Sequence, residues 1–265
     1  MKKLITFLRY AKDFIKHGEF HYLLSSVKYM LTGKTTRKEG LYHSDLGVFY
    51  ARRGTLDFQF GNSAYEKNVK DFVSKYVNHC NKFLDIGANI GTYSIFFAKQ
   101  GLTGCAFEPS PENFQALKQN IDLNHLTEKV QLYELGLGDH HYIDEFSFDP
   151  INTGATHTSS VVNPDAIEGK KEKVKIVTLD SLIHECQFDP EKDKVLVKID
   201  VEGMEINVIE GAKNFLQTFP EIVMVIETVH SGAENIKKKL QEIDRNFNFV
   251  YVDDLNIGAV KSSKK

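Results

Sequence analysis

The sequence predicts an α/β fold in which a mostly parallel sheet carries helices on both faces. Three observations predict it. Short apolar runs, Phe83-Leu84-Asp85-Ile86 first among them, end at glycine or an acid, as strands covered on both faces do. Helical spacing follows: Tyr93, Ile95, Phe96, Phe97 and Ala98 after the first run, and a proline-led segment over 111–123 after the second. Acids then collect at the strands' carboxyl ends, where open α/β sheets bind ligands. The chain has 265 residues, 42% of them hydrophobic, which suffices for one such domain (41–265) behind a basic helical extension (1–40).

Charge and cysteine content narrow the class. A net charge of −3 gives no bias toward nucleic acid, and no nucleic-acid partner is expected. Cys80, Cys105 and Cys186 are far apart and odd in number. They read as reduced thiols in a cytoplasmic protein rather than as a metal set or a disulfide framework. No apolar run is long enough to span a bilayer.

In chain order, residues 1–40 stand apart. Nine Lys and Arg against three acids give them +6, so the remainder carries −9. Leu4, Ile5, Leu8, Ala11, Phe14 and Ile15 recur at helical spacing, and Tyr22, Leu23, Val27, Tyr29 and Met30 mark a second helix. A basic amphipathic helix suits a peripheral membrane contact, a dimer contact or packing on its own domain; the sequence leaves all three open. Residues 47–50 and 56–60 read as two strands joined through Arg52-Arg53-Gly54, a hairpin at the cleft edge. A helix is expected over 63–77, with Ser63 as N-cap and Glu66 completing a capping box. Tyr65 and Glu66 are within reach of the site, with capping and packing the plainer reading.

The organising stretch is Asp85-Ile86-Gly87-Ala88-Asn89-Ile90-Gly91, a strand end, a glycine turn and a helix start. Gly87 and Gly91 let a ligand lie against the backbone. Glu108 ends the second strand, placed to bond both hydroxyls of a ribose. The glycine pattern is not the Gly-x-Gly-x-x-Gly of a dinucleotide site, and Asp85 would repel a pyrophosphate while attracting an ammonium or sulfonium. Together these point to S-adenosyl-L-methionine. A third strand over 130–135 is followed by Asp139, a candidate acceptor for the adenine amino group, with a plain turn aspartate as the alternative.

Residues 140–190 break the strand–helix alternation. Strands are expected over 144–148 and 173–178, and the long polar loop between them offers Asn152, Thr156, His157 and Ser159 to a polyhydroxylated substrate. His157 is either a base or a solvated loop residue. A short helix over 179–186 has Thr178 or Asp180 as its cap. The central strand over 194–199 delivers Lys198, Asp200 and Glu202 to its carboxyl end; after a helix over 204–218, the strand over 221–227 delivers Glu227 and then His230. Asp200, Glu202, Glu227 and His230 should therefore converge. A helix over 236–243 and an antiparallel hairpin over 247–260 close the chain.

These motifs carry a family resemblance. Phe83 through Gly91, Phe107-Glu108-Pro109-Ser110-Pro111-Glu112-Asn113, Val177-Thr178-Leu179-Asp180-Ser181-Leu182 and Lys198-Ile199-Asp200-Val201-Glu202-Gly203-Met204-Glu205 resemble, in order and spacing, the FkbM family of S-adenosylmethionine-dependent methyltransferases. The likeness covers about residues 60–230 and leaves the first 40 aside. It implies a class I (Rossmann-like) fold, seven strands with one antiparallel, and O-methylation of a hydroxyl, often on a sugar, glycan or related natural product. By position, it implies that Asp85, Gly87, Asn89 and Gly91 line the methionine and ribose side, Glu108 holds the ribose, and Asp200 and Glu202 face the methyl group and the acceptor. No Asn/Asp-Pro-Pro-Tyr motif follows the fourth strand, which speaks against transfer to base or amide nitrogen.

The reaction then needs an acceptor oxygen held in line and a base for its proton. Asp200, Glu202, Glu227 and His230 are the candidates. The acids can instead hold a divalent cation, although no metal is required. A nucleotide-dependent oxidoreductase and an idle binding module remain the alternatives; acceptor identity and oligomeric state are not readable from the sequence.

Overall fold

The computed structural model describes residues 2–35, 38–149, 151–154, 156–158 and 170–262. Ser159 and the side chains of Thr156 and His157, read above as substrate contacts, lie outside the described residues.

The basic segment begins with helices α1 (Lys2–Lys16) and α2 (Phe20–Thr32). Phe14 and Tyr22 are fully buried in one cluster with Tyr42, Phe49 and Phe58, so this segment shares the domain's core. Buried Asp13 fastens it: its carboxylate accepts the amides of Asp45 at 3.0 Å and Ser63 at 2.9 Å. Strands β1 (Gly40–His43) and β2 (Val48–Ala51) then pair antiparallel.

Residues 56–60 are not a strand. α3 (Asp57–Phe60) is a single helical turn, fixed by the fully buried Asp57. That carboxylate receives Arg52 Nε at 2.7 Å, Arg52 Nη2 at 3.0 Å and the Arg52 amide at 3.1 Å. A strand would carry Asp57 away from this fork. The expected helix over 63–77 shortens to α4 (Lys67–Val73). Ser63 gives its amide to Asp13, and Glu66 sits at φ 44° with no capping bond, so the capping box does not form.

The rest alternates as expected: β3 (Lys82–Ile86), α5 (Thr92–Lys99), β4 (Thr103–Phe107), α6 (Pro111–Leu123) and β5 (Val130–Tyr133). Then come β6 (Gly136–Leu137), β7 (Tyr142–Phe148), β8 (Thr156–Thr158), β9 (Lys170–Val177) and α7 (Leu179–Leu182). β10 (Val195–Ile199), α8 (Glu205–Glu210), α9 (Lys213–Thr218), β11 (Ile222–Glu227), α10 (Ala233–Ile243), β12 (Asn248–Tyr251) and β13 (Asn256–Lys261) complete the chain. Ser110 caps α6 by accepting the Asn113 amide at 3.3 Å. Asp180 caps α9 instead of α7: its two oxygens accept the amides of Asn214 and Phe215, each at 2.8 Å.

The main sheet has seven strands in the order β12-β13-β11-β10-β3-β4-β5. β13 runs antiparallel to both neighbours; β11, β10, β3, β4 and β5 are parallel. This is the class I arrangement, with its one antiparallel strand. β3, β4, β10 and β11 are buried along nearly their whole length because one core cluster covers each face. A second sheet, β6-β9-β7-β8, stands beside the carboxyl ends of β3 and β4 and supplies a wall that the sequence reading lacked.

Candidate active site

A cleft opens at the carboxyl ends of β3, β4 and β10, where open α/β sheets bind ligands. Gly87, Asn89, Glu108, Asp200 and Glu202 all line it, as expected. The apolar wall is new: Phe107, Leu135 and Leu137 meet Phe146 and Ile176 from the second sheet. A flat aromatic base would be held between such side chains. Phe107 and Leu137 were legible only as core residues, because nothing in one sequence shows that β7 and β9 fold back over β4.

Glu108 is a buried polar group at the cleft. It is 4% exposed, and its two oxygens accept the amides of Asn89 at 2.7 Å and Ser110 at 2.9 Å. One carboxylate thus pins the turn after β3 and the turn after β4, with lone pairs to spare for two ligand hydroxyls. Burial pushes its pKa up to about 7; the two amides, the Asn113 side chain and the Arg52 charge oppose that shift.

Asp85, Gly91 and Asp139 take other places than expected. Asp85 is 1% exposed beneath the turn and receives the Ser94 hydroxyl at 2.5 Å; burial raises its pKa to about 6. It supports the turn and does not line the cleft. Gly91 also lies off the cleft: at φ 89° a Cβ there would come within 2.7 Å of Leu117 Cδ1, so the glycine serves the packing of α5 on α6. Gly87 combines two demands, a φ of 83° and a backbone that Asp200 approaches so closely that a Cβ would lie 1.8 Å from its carbonyl oxygen. Asp139 is exposed and pairs with His140 Nδ1 at 2.9 Å. The chain has by then left the cleft, which Leu135, Gly136 and Leu137 line instead.

The predicted acidic convergence forms. Asp200 N bonds Ile86 O at 3.0 Å, which ties the end of β10 to β3. The fully buried Lys198 ammonium lies 2.8 Å from Asp200 Oδ2, and the surrounding carboxylates raise its pKa despite burial. Glu202, in the left-handed conformation at φ 51°, faces the cleft and meets His230 Nε2 at 2.8 Å. Glu227 lies beside them, and among the described residues its buried Oε2 has no hydrogen-bond partner. Burial, then the neighbouring acids, raise Glu202 to about 7 and Glu227 to about 9. One oxygen each from Glu202, Glu227 and one nitrogen from His230 lie within 4.8 Å of one another.

Glu205 clamps this group. Fully buried, it accepts the Gly203 amide at 2.9 Å on one oxygen and the Ser231 hydroxyl on the other, so it joins the loop bearing Glu202 to the loop bearing His230. On the opposite rim, Thr153 donates to Asp57 at 3.2 Å, and Asn113 donates to the Thr153 carbonyl at 2.8 Å. The root of the polar loop is thereby fixed beside Glu108.

A family model described as the methyltransferase FkbM domain matches residues 85–251. The chain belongs to the FkbM methyltransferase family. That domain runs from the end of β3 through β12, so α1 to α4 and β13 lie outside the match. The hexuronic acid methyltransferase AglP of Haloferax volcanii is 31% identical over 160 residues, 60% of this chain and 60% of that one. Methyltransferase 1 of Beauveria bassiana is 28% identical over 142 residues, 48% of this chain and 57% of that one. The matches thus span less than two thirds of the length of these curated relatives. A crystal structure of an FkbM methyltransferase from Methylobacillus flagellatus KT is similar with a TM-score of 0.48 and 16% identity, over 69% of this chain and 43% of that one. The FkbM domain here also fits an S-adenosylmethionine-type ligand by the chemistry of its groups: a buried acid for ribose hydroxyls, an apolar slot for a base, and acids facing a positive charge.

Proposed function

We propose that this chain is an S-adenosyl-L-methionine-dependent O-methyltransferase whose acceptor is a sugar, with a hexuronic acid-type residue as the leading candidate. The observation that carries the reading is a single cleft with Glu108 at one end and Asp200 and Glu202 at the other. Likeness to a hexuronic acid methyltransferase supports the sugar class of acceptor.

Glu108 would hold the ribose hydroxyls, the wall of Phe107, Leu137 and Ile176 the purine, and Asp200 and Glu202 would face the positive charge. When bound, the cofactor supplies an electrophilic methyl group. The protein's remaining work is to orient the acceptor oxygen and take its proton. Lys198 occupies one oxygen of Asp200, which suits that carboxylate to electrostatic support. Glu202 and Glu227, with raised pKa values, are the better bases, and His230 at the protein surface gives Glu202 a route to solvent. The close approach of Glu202, Glu227 and His230 also suits a divalent cation that would acidify the acceptor hydroxyl. Activity that survives EDTA would assign the proton to protein groups alone.

The test couples calorimetric titration of S-adenosylmethionine with radiolabelled methyl transfer to free glucuronic acid, its methyl glycoside, neutral sugars and non-sugar alcohols. Saturable binding with transfer to the sugars supports the proposal. Binding with transfer only to non-sugar acceptors overturns the acceptor class, and no binding by the folded protein overturns the activity.

A further inference from the structure

We propose that the outer face of the α1–α2 hairpin is a docking surface for an anionic lipid bilayer. Folding leaves on these two helices six of the twelve large apolar side chains that stand exposed among the described residues. They are arranged in stripes. On α2, Phe20, Leu24 and Leu31 are 57, 69 and 74% exposed and recur at helical spacing on one side. On α1, Leu8 and Ile15 stand two turns apart on the solvent side, 57 and 53% exposed. The opposite sides of both helices are satisfied by the core through Phe14 and Tyr22. The outward stripes are therefore surplus to folding.

The charges select the occupant. Arg9, Lys12 and Lys28 interleave with the apolar stripes, and Lys34 follows α2. The only acids within the described hairpin, Asp13 and Glu19, are buried and turned inward to Asp45, Ser63 and His43. At the carboxyl end of α2, Lys28, Lys34 and Arg53 line an open basin. A second copy of this face would set cations against cations in a two-fold interface, whereas an anionic headgroup layer complements them while the apolar stripes enter the acyl boundary. Ile151 borders the same basin, and Thr153 and Gly154 border the cleft, so a docked molecule would bring the cleft rim close to the headgroups.

Co-sedimentation with vesicles of phosphatidylcholine alone, and with about a quarter phosphatidylglycerol, tests this directly. Binding to the anionic vesicles should be at least about tenfold tighter and should weaken as salt rises. Leu24→Glu with Leu31→Glu should lower it at least about tenfold, and Lys12→Glu with Lys28→Glu should do the same, while circular dichroism stays native. These positions are exposed, so the variants report on docking rather than folding. Absent or composition-independent binding, or binding indifferent to both double variants, would overturn the proposal. So would self-association of the wild type that Leu24→Glu with Leu31→Glu abolishes, since the face would then belong to a second copy.

Discussion

His230 Nε2 meets Glu202 Oε2 at 2.8 Å, a bond that joins the ends of two neighbouring strands. Neither residue is held by its own strand. Glu202 sits two residues past the Asp200 tie to β3, and His230 lies beyond β11. The clamp is Glu205, which bonds both loops. Glu205→Ala should leave the Gly203 amide and Ser231 hydroxyl without a partner, at about 1.5–3 kcal/mol for each charge-assisted bond. Methyl transfer should fall at least about tenfold while S-adenosylmethionine affinity moves little, because Glu108 and the apolar wall are untouched. Parallel turnover and calorimetry check both halves of that expectation.

Glu108→Ala should weaken S-adenosylmethionine by about 1.5–3 kcal/mol, the worth of hydrogen bonds to a charged group. It should also lower the melting temperature, since the amides of Asn89 and Ser110 lose their acceptor. Ligand affinity that is unchanged in calorimetry would place the ribose elsewhere.

The raised acids make the free protein sensitive to alkali. Asp85 at about 6, Glu108 and Glu202 at about 7 and Glu227 at about 9 bind protons in the folded state that the unfolded chain has already released. Stability is therefore fullest below the unfolded carboxyl range and is lost as pH rises through these values. Melting curves should fall from about pH 5 to about pH 9, and Glu227→Gln should flatten the upper part. A cationic ligand should raise the melting temperature more at pH 8 to 9 than at about pH 6, because it favours the ionised acids.

Asp57→Ala should cost about 3–5 kcal/mol, since it strands the Arg52 guanidinium in a partly buried pocket. The effect should reach the cleft, because the same carboxylate receives the Thr153 hydroxyl. Urea unfolding gives the first quantity; faster hydrogen exchange at 151–154 gives the second.

Much of this was legible because buried parallel strands announce themselves. Phe83-Leu84-Asp85-Ile86 and Val195-Leu196-Val197-Lys198-Ile199 needed no partner to be recognised, and their ends gave Asn89, Asp200 and Glu202 directly. The misreadings share one cause. Leu56, Phe58 and Phe60 alternate like a strand, yet the backbone answers to Arg52 reaching Asp57. Ser63 and Glu66 have capping-box spacing, yet Ser63 is taken by Asp13 from 50 residues upstream. Asp85 looked like a ligand group because it ends a strand, but its side chain points to Ser94 beneath the turn. The second sheet was invisible for the same reason: its wall is made by where β7 and β9 are placed, and placement is a long-range property.

The antiparallel β13 has a further consequence, one of timing. On the ribosome, β11 emerges with β10 already present as a neighbour, but its other edge stays open until residues 256–261 follow. β12 is made earlier and has no place in the sheet until β13 arrives to bridge it. The edge left waiting carries Glu227, so of the clustered acids Glu227 is on the strand that gains its second neighbour last. A nascent chain stalled after α10 would hold the turns after β3 and β4 and a strongly apolar strand with one edge open, a state exposed to aggregation.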